Sequence, residues 1–224
     1  MIVTEDEVQR IYRKRFSDRA LITKARTWEV IVKYFLSKWI RPGDTVLDLG
    51  CGYGEFLNYV KASRRIGVDI NPDSSVHLDK NIEFFQKGVC DLNFLADDSV
   101  DLVFSSNLIE HLPGKREVEQ MVREARRVLR PGGHLVMMGP NIRMLPGKYW
   151  DFWDHIVPVS DRSLHELLDN LEFDVIDLYP KFLPYTTRSW IPKHPFFVRL
   201  YLRFPLVWQI MGKQFLIRAR KPSK

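Results

Sequence analysis

Residues 45–56, TVLDLGCGYGEF, constrain the fold of this chain more than any other stretch of its 224 residues. A strand-like apolar run that contains one carboxylate, Asp48, leads directly into Gly50, Gly52 and Gly54. Glycine lets the backbone turn tightly and approach a ligand that a Cβ atom would obstruct. Ligands of open parallel sheets bind beyond the carboxyl ends of the strands, so this turn predicts a ligand site at the end of a buried strand.

The spacing of the glycines and the charge of Asp48 narrow the class of ligand. Dinucleotide-binding turns have the spacing Gly-x-Gly-x-x-Gly, whereas this turn has Gly-x-Gly-x-Gly. Asp48 lies two residues before the first glycine, where its charge would repel a pyrophosphate. A carboxylate at this position suits a ligand with positive charge, such as a sulfonium or an amine.

Two more carboxylates follow the next predicted strands. Asp69 lies 19 residues after Gly50, at the end of the second strand, where it can accept hydrogen bonds from two ribose hydroxyls. Asp91 and Leu92 follow the third strand and are placed to meet an adenine, the carboxylate through the exocyclic amine and the backbone N–H through a ring nitrogen. Glycines with three carboxylates at successive strand ends argue against an ordinary glycine-rich turn.

Strands and helices alternate from residue 45 onward, which predicts an α/β, doubly wound sheet. The predicted strands are 45–49, 65–69, 82–86, 100–105, 134–138, 173–178 and 214–219. The predicted helices are 5–16, 24–39, a short one from near Gly54, 117–129, about 163–170 with Asp161 or Ser163 as its N-cap, and 195–211, which Pro205 should kink or break. We expect one domain over 1–224, with a helical cap at 1–40, a ligand-binding core at 45–141, a substrate loop at 142–160 and a basic aromatic insertion at 180–212.

Five motifs occur in order over roughly residues 40–141: VLDLGCGYGEF, GVDI, CDL, DLVFSSNLIEHL and RVLRPGGHLVMMGPN. They resemble the successive motifs of class I S-adenosylmethionine-dependent methyltransferases of the type 11 kind. The resemblance implies an enzyme with S-adenosyl-L-methionine as cofactor and a Rossmann-like seven-stranded sheet whose last strand is antiparallel. It implies that the cofactor-binding residues are Asp48, Gly50, Gly52, Gly54, Asp69, Ile70, Asp91, Leu92 and Asn107.

Further motifs, YWDFWDH, VSDRSLHELL, LPYTTRS and GKQFLIRARK, extend a narrower resemblance over nearly the whole chain. They are similar to methyltransferases from bacterial surface-polysaccharide and glycolipid gene clusters. This resemblance implies a small-molecule, sugar or glycolipid acceptor, methylated at oxygen.

The candidate catalytic residue is His155, in the predicted substrate loop. Methyl transfer from a sulfonium depends mainly on alignment, and a hydroxyl nucleophile benefits in addition from a general base. Asp151 or Asp154 could orient His155; a histidine that merely holds the loop is the alternative. Glu110 and His111, after strand four, are expected to be mainly structural. One histidine with two loop carboxylates is a poor set of metal ligands, so no metal is expected.

Positive charge is concentrated at one end of the chain. Ten of the 34 Lys and Arg residues, and no Asp or Glu, lie in 181–224. Apolar and aromatic side chains alternate there with Arg199 and Arg203, which are four residues apart and share a helix face. We expect the segment 181–212 to lie in a membrane interface and to meet a lipid-linked acceptor. A contact with the protein's own sheet, or with a second copy in a homodimer, is the alternative.

Neither a membrane-spanning nor a disulfide-rich protein is indicated. No apolar run approaches the roughly 20 residues that cross a bilayer, and the first residues lack the apolar segment of a signal peptide. Two cysteines are too few for a disulfide framework or a zinc site. We therefore expect a cytoplasmic protein that is peripheral at the inner face of the cell membrane.

Two other functions stay open. The pI of about 9.3 suggests a nucleic-acid methyltransferase. However, SSNLIEHL after strand four has no Asn-Pro-Pro-Tyr clamp for a flipped base, so no nucleic-acid partner is expected. The other alternative is a catalytically inactive module that binds a partner through the basic tail, although the complete set of glycines and carboxylates argues against it.

Overall fold

The computed structural model describes residues 18–147, 149–185 and 194–223, so the helix predicted at 5–16 lies outside the described residues. The helices are α1 (Asp18–Tyr34), α2 (Ser74–His77), α3 (Lys115–Val128), α4 (Asp161–Asn170), α5 (Pro195–Arg203) and α6 (Pro205–Met211). The strands are β1 (Thr45–Leu49), β2 (Arg64–Asp69), β3 (Glu83–Gln86), β4 (Val100–Ser106), β5 (Leu129–Pro140), β6 (Asp174–Tyr179) and β7 (Gln214–Arg220). Short 3₁₀ turns lie at Leu36–Trp39, Leu57–Tyr59 and Ile109–His111.

All seven predicted strands are present in one sheet of order β3-β2-β1-β4-β5-β7-β6. β1 pairs in parallel with β2 and β4, β2 with β3, and β4 with β5. β7 lies antiparallel between β5 and β6, so the expected doubly wound sheet with an antiparallel last strand is confirmed. The winding reverses between β1 and β4, which places the ligand-binding crevice at their carboxyl ends.

Side chains of β1 alternate between two apolar cores, one on each face of the sheet. Leu47 and Leu49 pack in the core that α3 and α4 cover, whereas Val46 packs in the core that α1, α5 and α6 cover. Because both faces are covered, the strand is apolar on both sides, and Asp48 is buried within it.

Two predicted helices have different bounds in the structure. α1 begins earlier than predicted and ends at Tyr34, and the 3₁₀ turn Leu36–Trp39 follows it. The helix predicted from near Gly54 is limited to the 3₁₀ turn Leu57–Tyr59. It cannot continue because the backbone of Val60 is already extended, with ψ of 136°.

The N-cap of α4 is Ser160, and the predicted N-caps, Asp161 and Ser163, are wrong. The Ser160 hydroxyl accepts from the Ser163 N–H at 3.1 Å, and the Ser163 hydroxyl accepts from the Ser160 N–H at 2.9 Å. This reciprocal capping box satisfies two backbone donors at the helix start. Asp161 is the first residue of the helix and pairs with Arg143 at 2.8 Å.

The described residues between β6 and β7 include two helices, α5 and α6, where the sequence predicts a helical insertion. α5 ends at Arg203 and α6 begins at Pro205, because proline has no N–H to continue the helix and clashes with the preceding turn. The insertion packs on α1: the guanidinium carbon of Arg199 lies 4.5 Å from the centre of the Tyr34 ring. Tyr201 and Trp208 are buried in the core beneath.

Backbone hydrogen bonds hold the two ends of this insertion together. The Phe182 N–H donates to the Gln214 carbonyl at 2.6 Å, and the Lys213 N–H donates to the Leu183 carbonyl at 2.7 Å. Among the helices that the structure describes, none is both long and apolar enough to cross a membrane.

Candidate functional site

A cavity of about 590 Å³ lies at the carboxyl ends of β1, β2 and β4. The glycine turn after β1 forms part of its wall, and Gly50, Gly52 and Gly54 have φ angles of 72°, 51° and 76°. Residues with a side chain rarely adopt this left-handed backbone. A Cβ atom at Gly50 would in addition lie 2.8 Å from a methyl carbon of Leu108. The turn therefore requires glycine, as the sequence predicts.

Asp48 is the buried carboxylate of this cavity, with 3% of its surface exposed. Burial raises its pKa well above the usual range, and the nearby charges of Glu55 and Asp69 raise it further. A positively charged group bound next to Asp48 would relieve this repulsion and favour the ionised carboxylate.

Asp69 is held in place by the backbone around it. Its carboxylate accepts from the Gly52 N–H and from the Asn71 N–H, both at 2.8 Å. Burial raises the pKa of Asp69, and these hydrogen bonds oppose that rise. An ionised carboxylate has about four lone-pair sites, so Asp69 keeps capacity for a ligand hydroxyl.

Six of the nine predicted cofactor-binding residues line the cavity: Asp48, Gly50, Gly52, Asp69, Ile70 and Asn107. Gly54 is not among the described lining residues; its N–H donates to the Cys51 carbonyl at 3.0 Å and so closes the turn. The N–H of Leu92 donates to Glu124 at 3.0 Å, and the exposed carboxylate of Asp91 accepts from the Asn93 N–H at 3.2 Å. Adenine contacts by Asp91 and Leu92 therefore stay a prediction. Val89 and Cys90 line this part of the cavity.

His111 lies on the cavity wall together with Asp154. Its Nδ1 lies 3.0 Å from the carbonyl oxygen of Asp154 and 3.2 Å from a carboxylate oxygen of the same residue. Both of these oxygens only accept, so Nδ1 carries the proton and Nε2 is left as the basic nitrogen. Burial alone would lower the pKa of His111, but the hydrogen bond to Asp154 and the charges of Glu110 and Asp154 outweigh it and raise that pKa.

His155, the predicted base, packs behind His111 and is not among the described residues that line the cavity. The two ring centres are 5.0 Å apart. Nδ1 of His155 donates to the Tyr149 carbonyl at 2.7 Å, and its ring packs on the Tyr149 ring at 4.3 Å. Burial lowers the pKa of His155, and the charge of His111 lowers it further.

His111, Asp154 and His155, here called the histidine cluster, each offer one ligand atom within 4.8 Å of the others. The sequence analysis considered His155, Asp151 and Asp154 as possible metal ligands. In the structure His111 takes the place of Asp151, which is exposed. Asp154 is already the hydrogen-bond partner of His111, so the cluster contains its own compensating charge.

Glu110 anchors the loop that carries His155. Its side chain, 1% exposed, accepts from the Tyr149 hydroxyl at 2.8 Å, and its carbonyl accepts from the Ile156 N–H at 2.7 Å. The predicted structural role of Glu110 agrees with these contacts. The loop 149–157 is thereby held against the residues that follow β4.

Sequence reasoning missed the part of the cavity wall that lies far from the glycine turn in the chain. Lys24 and Trp28 of α1 line the cavity. The spacing of Lys24 and Trp28, four residues apart on a helix, places both on one face. The lysine within an otherwise apolar helix face was the sequence feature that could have indicated that α1 lines a ligand site.

Comparison with known proteins shows which proteins this chain is similar to. Residues 47–137 match the family model described as a methyltransferase domain. A probable S-adenosylmethionine-dependent methyltransferase from Mycolicibacterium smegmatis is 34% identical over 142 residues, which are 60% of this chain and 54% of that protein. The probable tRNA methyltransferase 9B of Homo sapiens is 31% identical over 109 residues, 47% of this chain and 23% of that protein.

The chain spans about half or less of the length of the curated relatives that it matches. Among solved structures, a SAM-dependent methyltransferase from Thermotoga maritima, titled a possible histamine N-methyltransferase, has a TM-score of 0.65 at 18% identity, with 97% of each chain covered. This likeness concerns the fold alone.

Proposed function

We propose that this chain, which carries a class I S-adenosylmethionine-dependent methyltransferase domain, transfers the methyl group of S-adenosylmethionine to a hydroxyl oxygen of a small-molecule, sugar or glycolipid acceptor. The observation that carries the proposal is the position of His111. It lies on the wall of the same cavity that the glycine turn and Asp48 form, so a cationic methyl donor and a basic nitrogen would meet there.

The chemistry of the cavity wall fits S-adenosylmethionine, which when bound supplies a methyl group on a sulfonium. Asp48 offers buried negative charge to the sulfonium or the ammonium group, and Asp69 offers lone pairs to the ribose. The glycine turn admits close approach of the backbone. The proposed cofactor-binding residues are Asp48, Gly50, Gly52, Gly54, Asp69, Ile70, Asp91, Leu92 and Asn107.

For the general base we favour His111 over the predicted His155. Asp154 orients the His111 ring through Nδ1 and leaves Nε2 basic, the arrangement that positions histidine bases in hydrolases. His155 also carries its proton on Nδ1, which donates to the Tyr149 carbonyl. It lies on the side of His111 away from the cavity. In this proposal His155 positions His111, and its own role as base is the second candidate.

The described part of the insertion supports a membrane or lipid-linked partner. Four large apolar side chains of α5, of α6 and of the residue between them are strongly exposed: Phe196 by 61%, Phe204 by 51%, Leu206 by 84% and Ile210 by 80%. The exposed Arg199 and Arg203 lie among them. Apolar side chains with interleaved arginines and no carboxylate fit the interface of an anionic leaflet. The protein would then be peripheral at the inner face of the cell membrane.

α1 connects this surface to the cavity. Lys24 lines the cavity, and Tyr34, at the other end of the helix, contacts Arg199 of α5. Ten residues of α-helix separate them, which corresponds to about 15 Å along the axis. An acceptor whose lipid part stays in the membrane could therefore place its head group at the cavity.

Two alternatives have specific support. The similarity to a probable tRNA methyltransferase favours a nucleic-acid acceptor, but the arginines of α5 stand among exposed apolar side chains rather than in a polar groove. The apolar surface of α5 and α6 would also fit a second copy of this chain. Labelling of tRNA would support the first alternative, and concentration-dependent sedimentation without lipid would support the second.

A labelling experiment tests the proposal. Purified protein is incubated with methyl-labelled S-adenosylmethionine and with either a bacterial lipid extract or total tRNA. Label at an oxygen of a lipid-linked sugar, located by mass spectrometry, supports the proposal. Label in tRNA alone would replace it with the nucleic-acid function. A chain that binds S-adenosylmethionine but labels neither pool, nor a panel of soluble sugars, would argue for the inactive module.

A further inference from the structure

The charges on the cavity wall are strongly unbalanced. Five carboxylates line it: Asp48, Glu55, Asp69, Glu117 and Asp154. Among the described lining residues, Lys24 is the one lysine or arginine. A lysine among five carboxylates is in an electrostatically distinct position, and any anionic part of a ligand is drawn to it.

S-adenosylmethionine has three charged groups: a sulfonium, an ammonium and a carboxylate. The carboxylates of the cavity suit the two positive groups. The cofactor carboxylate, in contrast, requires a cation or backbone N–H groups nearby, because an ionised group removed from water without a partner is costly.

Lys24 lies beside the glycine turn, which follows Asp48, the residue proposed to bind the sulfonium or the ammonium group of the cofactor. Its Nζ lies 2.6 Å from a carboxylate oxygen of Glu55, which directly follows the glycine turn in the chain. Glu55 is itself held by the Tyr53 N–H at 3.1 Å. The lysine ammonium has three N–H donors, so it can donate to Glu55 and also to a second carboxylate.

We propose that Lys24 binds the carboxylate of S-adenosylmethionine and that Glu55 holds the lysine in position. This inference rests on the proposed function, since it requires the cofactor in this cavity. It gives α1 a direct part in cofactor recognition. The glycine turn and the strand ends contribute carboxylates to the cavity wall, and α1 contributes the lysine.

Isothermal titration calorimetry with two ligands tests the inference. S-adenosylmethionine and its decarboxylated form differ only in the carboxylate. Lys24→Ala should weaken binding of S-adenosylmethionine by about 10-fold, the low end for a lost charged hydrogen bond because Lys24 is partly exposed. The same variant should leave the affinity for the decarboxylated form within about twofold, and Lys24→Arg should retain most of the affinity for S-adenosylmethionine.

Lys33→Ala is the matched control, since Lys33 is exposed on the same helix and should change neither affinity. Equal weakening of both ligands by Lys24→Ala would overturn the inference, and so would unchanged binding of S-adenosylmethionine. Failure of the wild-type protein to bind S-adenosylmethionine would instead overturn the proposed function, so the two failures are distinguishable.

Discussion

Nδ1 of His111 lies 3.2 Å from a carboxylate oxygen of Asp154 and 3.0 Å from the carbonyl oxygen of the same residue. Residue 154 thus contacts the ring with both its side chain and its backbone. The result is two neighbouring histidines whose pKa values move apart: that of His111 is raised, and that of His155 is lowered. This difference makes their roles separable by experiment.

The first prediction concerns the pH dependence of turnover. A general base must be neutral, so kcat/KM should rise with pH through the pKa of the base in the free enzyme. With His111 as base, the midpoint lies above the ordinary histidine value of about 6.5, and Asp154→Asn moves it downward. A midpoint below that value in the wild-type protein would assign the role to His155, whose pKa is lowered by burial and by the charge of His111.

The second prediction compares the two histidines directly. His111→Ala should lower kcat by about 10²- to 10⁴-fold, the usual contribution of a general base, and should leave the affinity for S-adenosylmethionine unchanged. His155→Ala should lower kcat by less than about 10-fold, because a base remains. His165→Ala, at an exposed position of α4, is the control. The reverse order of the two losses would restore the sequence-based prediction of His155.

The third prediction concerns the ribose contact. Asp69→Ala should weaken binding of S-adenosylmethionine by about 1.5 to 3 kcal/mol, because charged hydrogen bonds are lost. Calorimetry measures the affinity, and circular dichroism checks that the fold is kept, since Asp69 also accepts from the glycine turn. Asp169→Ala, exposed on α4, should bind like the wild type. An unchanged affinity in folded Asp69→Ala would contradict the assignment.

The fourth prediction concerns the membrane surface. Arg199→Glu/Arg203→Glu should greatly reduce co-sedimentation with vesicles that contain anionic lipid, since each arginine contributes about 1 kcal/mol near such a surface. Neutral vesicles should bind the wild-type protein more weakly. Lys115→Glu/Arg116→Glu makes the same change of charge at exposed positions of α3 and should bind normally.

Two outcomes of that experiment would end the membrane interpretation. One is equal binding of wild type and the α5 variant at high salt, and the other is no binding by either. Concentration-dependent sedimentation of the protein without lipid would then point to a second copy as the partner of α5 and α6.

The fifth prediction concerns metal ions. The ligand atoms of the histidine cluster are close enough for a divalent cation, but Asp154 already compensates His111. We expect dialysis against a chelator to leave turnover unchanged and metal analysis to find far less than one ion per chain. One bound ion per chain that is absent from His155→Ala would instead make the cluster a metal site.

The strands were predictable because buried parallel strands carry a strong local pattern. Val46, Leu47 and Leu49 are apolar on both faces since helices cover both. Helix ends were less predictable. Ser160 and not Asp161 caps α4 because the reciprocal bond with Ser163 decides between two neighbouring candidates, and both residue types are favoured N-caps.

The glycine turn was likewise local, and its left-handed residues are those that the spacing required. The histidine cluster could not be predicted from a local pattern, because His111 and His155 are separated by 44 positions. They meet only where loop 149–157 packs against Glu110. Lys24 likewise lies 26 positions before Gly50, the first glycine of the turn that it faces. Such pairings depend on how the chain crosses the ends of β1 and β4, which no local pattern contains.

The paired backbone bonds of Phe182 with Gln214 and of Lys213 with Leu183 have a consequence for how such proteins diverge. These bonds clamp together the first and last residues of the insertion between β6 and β7, next to the sheet. The cost of lengthening a closed loop grows only slowly with its length, so the exposed residues beyond this clamp can be replaced without disturbing strand register, provided that the buried Tyr201 and Trp208 are kept. Grafting the exposed residues of a relative onto α5 and α6 is therefore a rational route to change what this surface contacts.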